Sequence, residues 1–224
     1  MDLQALALTV RLALVTTVLL LCIGIPLAAW IVFTPSRLRA VVEAITTLPL
    51  LLPPTVLGFY LLVLLGPRTA FGRAWIYLTG HPLAFSFSGL VVGSAIYSLP
   101  FAVQPLVAGF AGVDAALLEQ ARLLGASRAR VLRKVLLPLS ARSVLTAAVL
   151  CFMHTVGEFG VVLMIGGNIP GATRTLSILI YDQVQDFAYA QANRTALALV
   201  AVSLAALVLL YSQRRSVLSE ARRG

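Results

Sequence analysis

Few residues in this chain are equipped for chemistry, and they fall into three short stretches. The first is M-H-T-V-G-E-F-G (153–160), where Glu158 is the only charge between Ser143 and Thr173. His154 stands four residues earlier, so a continuous helix brings imidazole and carboxylate onto one face as an ion pair or proton-sharing pair. An acid at mid-bilayer costs about 2.5–3.5 kcal/mol on insertion scales and turns inward toward a partner. A carboxylate repels anionic solutes, so the role expected of Glu158 is structural or gating. The second stretch is G-G-N-I-P-G-A-T-R-T (166–175). Its glycines imitate a phosphate loop, but Ala172 stands where the lysine is required, so nucleotide binding is rejected. Gly, Asn and Pro read as a turn, from which Thr173, Arg174 and Thr175 can offer donors to an oxyanion at an outer mouth. The third stretch, residues 112–140, gathers seven charged side chains between long uncharged runs. There is no H-E-x-x-H, no G-x-S-x-G and no cluster of His, Cys or acids, so no enzyme site or metal site is expected. Cys22 and Cys151 lie in apolar runs without a C-x-x-C neighbour and read as core or lipid-facing residues, not as a disulfide or metal site.

The elements that must hold these residues follow from composition. Of the 224 residues, 60% are hydrophobic and 11% charged, against roughly 45–50% and about 25% in soluble domains. A soluble fold cannot hide that much apolar surface, whereas lipid removes the need to hide it. A net charge of +9 then reflects basic residues flanking spans, not nucleic-acid binding. A crossing helix needs about 20 apolar residues. The charge-free runs predict spans near 9–33, 42–65, 86–110, 141–164 and 194–212, in an all-α transmembrane chain of one permease-like domain, residues 1–224. The N-terminus lacks a basic leader region, so the first run is expected to be a retained span. Residues 34–41, 112–142 and the tail after 212 hold 12 of the 17 basic residues, including Arg214, Arg215, Arg222 and Arg223. That bias places the N-terminus outside and the C-terminus in the cytoplasm. Pro49, Pro53 and Pro54 fall inside the second span, where each removes an amide and clashes with the turn before it. Backbone freed in this way must be buried in protein or line a cavity; a structural kink and a pathway wall both remain open.

Within 112–140, Asp114 can cap a helix on which Leu117, Ala121 and Leu124 share a face. Gly125 can end that helix in the left-handed region, and Ser127 can start the next one, apolar at Val131, Leu132, Val135 and Leu136. Physical chemistry alone leaves two readings of this hairpin: a basic helix lying on anionic lipid, or a knob for a cytosolic partner.

The run E-Q-A-R-L-L-G-A (119–126) resembles the E-A-A-x-x-x-G motif of the permease subunits of ABC importers. Glu119, Ala121, Gly125 and Ala126 match, and Gln120 stands where the motif often has alanine. The resemblance implies a type I importer permease, with this segment (about 112–140) coupling to a cytosolic ABC ATPase subunit. L-P-L-L-L-P-P-T-V-L-G-F-Y (48–60) and G-E-F-G…G-N-I-P-G-A-T-R-T (157–175) are similar to the molybdate transport permease family and more loosely to sulfate permeases. Gln104 and His154 depart from it, since arginine is common there in the family. The resemblance further implies a bacterial inner membrane, a second copy of the permease, an external oxyanion-binding protein, no cofactor on this chain, and ATP on the partner. Pro53, Pro54, His154 and Glu158 would then line the pathway or gate. Tungstate or sulfate are the alternative cargoes. A stand-alone secondary transporter is the alternative class, disfavoured by the lack of paired halves.

Overall fold

The computed structural model describes residues 2–220, and among them every regular element is helical. Arg222 and Arg223, counted above on the inner side, lie outside the described residues. Asp2 caps α1 (Leu3–Phe33), its carboxylate accepting from the amides of Gln4 and Ala5. α5 (Phe87–Ala111) starts at Ser86, whose hydroxyl accepts from the Gly89 amide. Both helices are long and apolar enough to cross a membrane alone. They pack against each other and against α9 (Ala141–Gly157), forming the three-helix centre of the molecule. Thr9, Ser94 and Ser98, all buried, give this centre an unusually polar seam.

Two of the predicted spans are not continuous helices. The second is α2 (Leu38–Leu51) and α3 (Pro54–Leu65), which meet at a 113° bend. The cause is Pro53–Pro54: neither residue can donate to the carbonyls at the end of α2, while Pro54 is well placed to start α3. The fourth divides into α9 and α10 (Gly160–Gly166) at Glu158–Phe159, where Glu158 adopts extended backbone (φ −67°, ψ 134°). The second halves of the two broken spans, α3 and α10, pack on each other. Their contact depends on small residues. A Cβ on Gly160 would stand 2.7 Å from Pro54 Cβ, and one on Gly58 would stand 2.8 Å from Met164 Cβ.

Between Leu65 and Ser86 the sequence reads as a loop before the third span, yet it contains α4 (Ala70–Thr79), capped by Thr69 and stopped by Gly80 in the left-handed region. The segment read as an outer loop, 165–193, is also folded. α11 (Leu176–Gln185) buries Leu176, Ile178 and Leu179, and the Thr9 hydroxyl of α1 accepts from the Leu176 amide at 2.9 Å. The fifth predicted span falls within α12 (Tyr189–Glu220).

The connection from α5 to α9 carries α6 (Ala115–Leu123), α7 (Arg128–Val131), a π-helical turn (Leu132–Leu136) and α8 (Leu137–Leu139). The stretch from Arg128 to Leu139 meets α9 at 80°. One apolar cluster fastens it to the bundle: Leu118, Val131 and Leu136 pack with Leu106 and Phe110 of α5, Ala28 of α1 and Ala147 of α9. Phe110 is fully buried at the middle of this contact. Phe110→Ala is expected to cost about 3–5 kcal/mol through the cavity it leaves, read as a drop in the thermal midpoint of the detergent-purified chain. A drop no larger than that of Val200→Ala, on the exposed side of α12, would show that this cluster does not bear the load.

Candidate functional site

The two helix breaks face each other. Pro54 and Thr55 at the start of α3, Tyr97 of α5, and His154, Glu158 and Gly160 around the α9–α10 break line a cleft of about 480 Å³. Three of the four residues expected in a pathway or gate, Pro54, His154 and Glu158, are therefore together; Pro53 is the capping residue directly before Pro54. The breaks explain the cleft. Interrupted helices leave backbone groups without intrahelical partners, and such backbone is tolerated at membrane depth only along a cavity or inside protein.

His154 does not pair with Glu158. Because α9 ends at Gly157, the i, i+4 geometry that a continuous helix would supply is lost. His154 instead shares a hydrogen bond with Ser98 through Nδ1 (2.9 Å), and the Ser98 hydroxyl is in turn 3.1 Å from that of Thr155. The imidazole stacks on Phe101 (centroids 4.0 Å apart) and tilts against Tyr97 (4.8 Å). It is locked between two aromatic rings and a hydroxyl, as a residue that shapes a wall must be. Tyr97, Phe101 and Gln104 lie at i, i+4 and i+7 on α5, and Gln104 donates to the Thr47 hydroxyl of α2 at 3.1 Å. The sequence reading missed Tyr97, Ser98 and Thr155; their signal was the polar and aromatic spacing of S-A-I-Y-S-L-P-F inside an apolar helix.

Glu158 is 4% exposed, and neither carboxylate oxygen has a hydrogen-bond partner among the described residues. Its polar neighbour is the Ser94 hydroxyl of α5, so the two buried polar side chains meet at the junction of α9 and α10.

The three residues expected at an outer mouth divide by what they bond to. The Thr173 hydroxyl is fully buried, accepting from the Ile169 amide (2.9 Å) and donating to the Gly166 carbonyl (2.6 Å). Thr175 caps α11, accepting from the Ile178 amide. Both hydroxyls hold the turn. Arg174 alone presents a charge: its Nε donates to Asn168 Oδ1 (2.7 Å) and lies 3.6 Å from Asp182, which also accepts from the Asn168 amide group.

In the connection between α5 and α9, Asp114, Gly125 and Ser127 take the capping roles that their types predict. The Asp114 carboxylate accepts from the Ala116 amide at 2.9 Å and starts α6. The Ala126 amide donates to the Ala121 carbonyl and the Gly125 amide to the Arg122 carbonyl, a paired C-terminal stop that requires Gly125 at φ 81°. Ser127 caps α7. The inward face is not the one expected. Leu118 is the buried anchor, with Ala121 and Ala126 packed beside it, while Leu117 is exposed and Leu123 and Leu124 are 87% and 88% exposed. Glu119 is exposed on the same helix. Two bare leucines therefore stand side by side at the C-terminal end of α6.

Against this geometry stand the known proteins. Residues 20–218 match the family described as binding-protein-dependent transport system inner membrane component. The chain belongs to that family. It is 50% identical over 214 residues to the molybdenum transport system permease protein ModB of Azotobacter vinelandii, covering 96% of this chain and 95% of the relative. It is 33% identical to ModB of Escherichia coli K12 over 221 residues, 99% and 96% of the two chains. By fold it superposes on a bacterial ABC transporter involved in import of alginate (TM-score 0.74, 18% identity, 96% of this chain and 79% of that one) and on the MetNI methionine ABC transporter (0.71, 19%, 95% and 94%). The helical architecture is thus that of ABC importer permeases, and the chain is a membrane transport component.

The divided roles around 173–175 have a consequence for stability. Thr173→Val should cost about 1–3 kcal/mol by orphaning two buried backbone groups, whereas Arg174→Ala, at a partly exposed pair, should cost about 1 kcal/mol or less. Thermal midpoints in detergent compare them, and the reverse order would refute the assignment.

Proposed function

We propose that this chain is the translocation subunit of an ATP-binding-cassette importer for molybdate. The observation that carries it is the near full-length match, at 50% identity, to a protein named for molybdenum transport. The geometry supports the same reading. In this proposal two copies of the chain pair in the bacterial inner membrane, N-termini outside and C-termini cytoplasmic, and a binding protein delivers the oxyanion from outside. A cytosolic ATPase subunit grips α6 at Glu119, Ala121, Gly125 and Ala126, with Leu123 and Leu124 seated in its groove. The chain binds no cofactor of its own; ATP sits on that partner.

The mechanism follows from how α6 is fastened. Because Leu118 is buried with Phe110 and Leu106, displacement of α6 must move α5. α5 carries Tyr97 and Ser98, which hold His154 beside the helix breaks. Motion applied at the tip therefore reaches the cleft through two packed contacts. Pro53, Pro54 and Glu158 mark where the helices yield. Glu158, buried at the α9–α10 break beside Ser94, would be repacked when that break changes shape. In this scheme Arg174, with Thr173 and Thr175 shaping its turn, serves at the outer mouth toward the oxyanion or its binding protein. The cleft wall offers hydroxyls of Thr55 and Tyr97 and an imidazole, but no lysine or arginine. An anion would pass it as a weakly held guest.

Two measurements test this. Leu123→Asp with Leu124→Asp should weaken association with the ATPase by roughly 100-fold, the equivalent of about 3 kcal/mol of lost leucine burial, while the permease itself elutes as the wild type does. Unchanged association, or cysteine cross-links from positions 119 and 121 that never reach the ATPase, would end the proposal. In reconstituted vesicles, Glu158→Gln should alter molybdate uptake and its coupling to ATP hydrolysis. Wild-type uptake at wild-type expression would remove Glu158 from the gate.

A further inference from the structure

A second cleft, of about 500 Å³, opens where the end of α1 passes the coupling segment. Its volume is that of an ordinary small-ligand site. One wall is the last turns of α1, with Pro26, Trp30 and Phe33; the other is Leu118, Leu132 and Leu136. Two cations, Arg122 of α6 and Arg128 of α7, complete the lining, and no acid joins them. Neither arginine has an acidic partner within ion-pair distance among the described residues. Trp30 and Phe33 remain 38% and 37% exposed, so the apolar wall is bare.

We propose that this cleft holds one anionic phospholipid of the inner leaflet, an acyl chain against α1 and the phosphate between Arg122 and Arg128. The inference rests on the reading that places the coupling segment at the cytoplasmic face. Three features on this surface point to that occupant. The apolar wall is the tail of a helix long and apolar enough to cross a membrane, which ends at Thr34, so lipid chains would flank it. Arg122 and Arg128 line the same cleft as that apolar wall, pairing charge with apolar surface as a phospholipid does, and guanidinium forks match phosphate geometry. Anionic headgroups concentrate on the inner leaflet and attract basic side chains there. The consequence is mechanical. Leu118, Leu132 and Leu136 line the cleft and belong to, or pack against, the cluster that fastens the lever to the bundle. A lipid filling the cleft wedges α1 against the lever and stiffens the path from ATPase to gate, so coupling depends on the lipid.

The test uses the permease–ATPase complex in phosphatidylcholine nanodiscs with a minor fraction of phosphatidylglycerol carrying a photoactivatable acyl chain. Label should map to peptides containing Trp30, Phe33 or Leu132. Unlabelled phosphatidylglycerol should compete, and neither phosphatidylcholine nor inorganic phosphate should. Arg122→Gln with Arg128→Gln should lower labelling about tenfold, while Arg37→Gln with Arg39→Gln, equally basic but outside the cleft, should change it less than about twofold. Equal labelling by a phosphatidylcholine probe, competition by inorganic phosphate, or label retained in the Arg122/Arg128 variant overturns the lipid site. So does label that appears only after the ATPase is stripped away, which would give the cleft to that subunit. Elution of the variant as an intact complex guards against misfolding. Cross-linking of Leu123→Cys to the ATPase reports separately on the lever, so loss of the lipid site and loss of the proposed function are distinguishable.

Discussion

The structure depends on a handful of apolar contacts that tie a short surface helix to the membrane bundle. α6 has only nine residues, too few to be stable as an isolated helix in water. It exists because Asp114 and Gly125 close its ends and because Leu118 is buried among Phe110, Leu106, Val131 and Leu136. The caps satisfy its backbone locally, so the helix needs no further polar partner from the bundle. Its whole attachment can be apolar and tightly packed. Interiors packed at crystal-like density transmit displacement instead of absorbing it. Under the proposed function, the same contact that makes α6 fold also makes it a lever, and the exposed side chains Leu123 and Leu124 fall at its C-terminal end.

At the other end of that path the chain does the opposite and weakens itself. Two prolines divide one span, and an extended Glu158 divides another. The breaks are placed face to face, with Gly160 against Pro54 and Gly58 against Met164. A continuous helix here would be more stable by its own hydrogen bonds, but it would present a closed apolar wall with nothing to offer a polar solute. Interruption supplies polar backbone and a cleft at the breaks. Small residues at the crossing let α3 and α10 pack closely. The packed centre of α1, α5 and α9 carries both breaks at its edge.

Much of this was legible in the sequence where local chemistry decides structure. Charge-free runs marked α1 and α5, and Asp114, Gly125 and Ser127 took the capping roles that their types predict. The misses have a common cause: hydropathy counts length and not direction. Pro53 and Pro54 signalled an interruption in the apolar run Leu48–Leu65, but hydropathy could not give the 113° size of the turn. Glu158 was seen as an acid inside a helix, and the expected pairing with His154 failed because the helix had already ended. In a helix as short as α6, two turns of periodicity could not decide whether Leu117 or Leu118 faces inward. Thr9 and Leu176 are 167 residues apart, and no local pattern announces a hydrogen bond of that span. Arg174 was correctly seen as a cation near a turn, but Asn168 and Asp182, which hold it, were not.

The absence of cations from the cleft wall bears on where selectivity resides. A doubly charged oxyanion is strongly hydrated, and a site that stripped and held it would need several charged donors. Such a site would also release it slowly, and a conduction path must bind weakly enough to let its cargo leave. With Thr55, Tyr97 and His154 facing a buried carboxylate at Glu158, the wall is polar but poor at trapping an anion. That design is economical only if recognition has been completed before the anion arrives. Under the proposed function, a separate binding protein does so, and this chain is left to solve a different problem. It must keep a polar surface stable inside a largely apolar molecule, and change it on command from a helix at the other end.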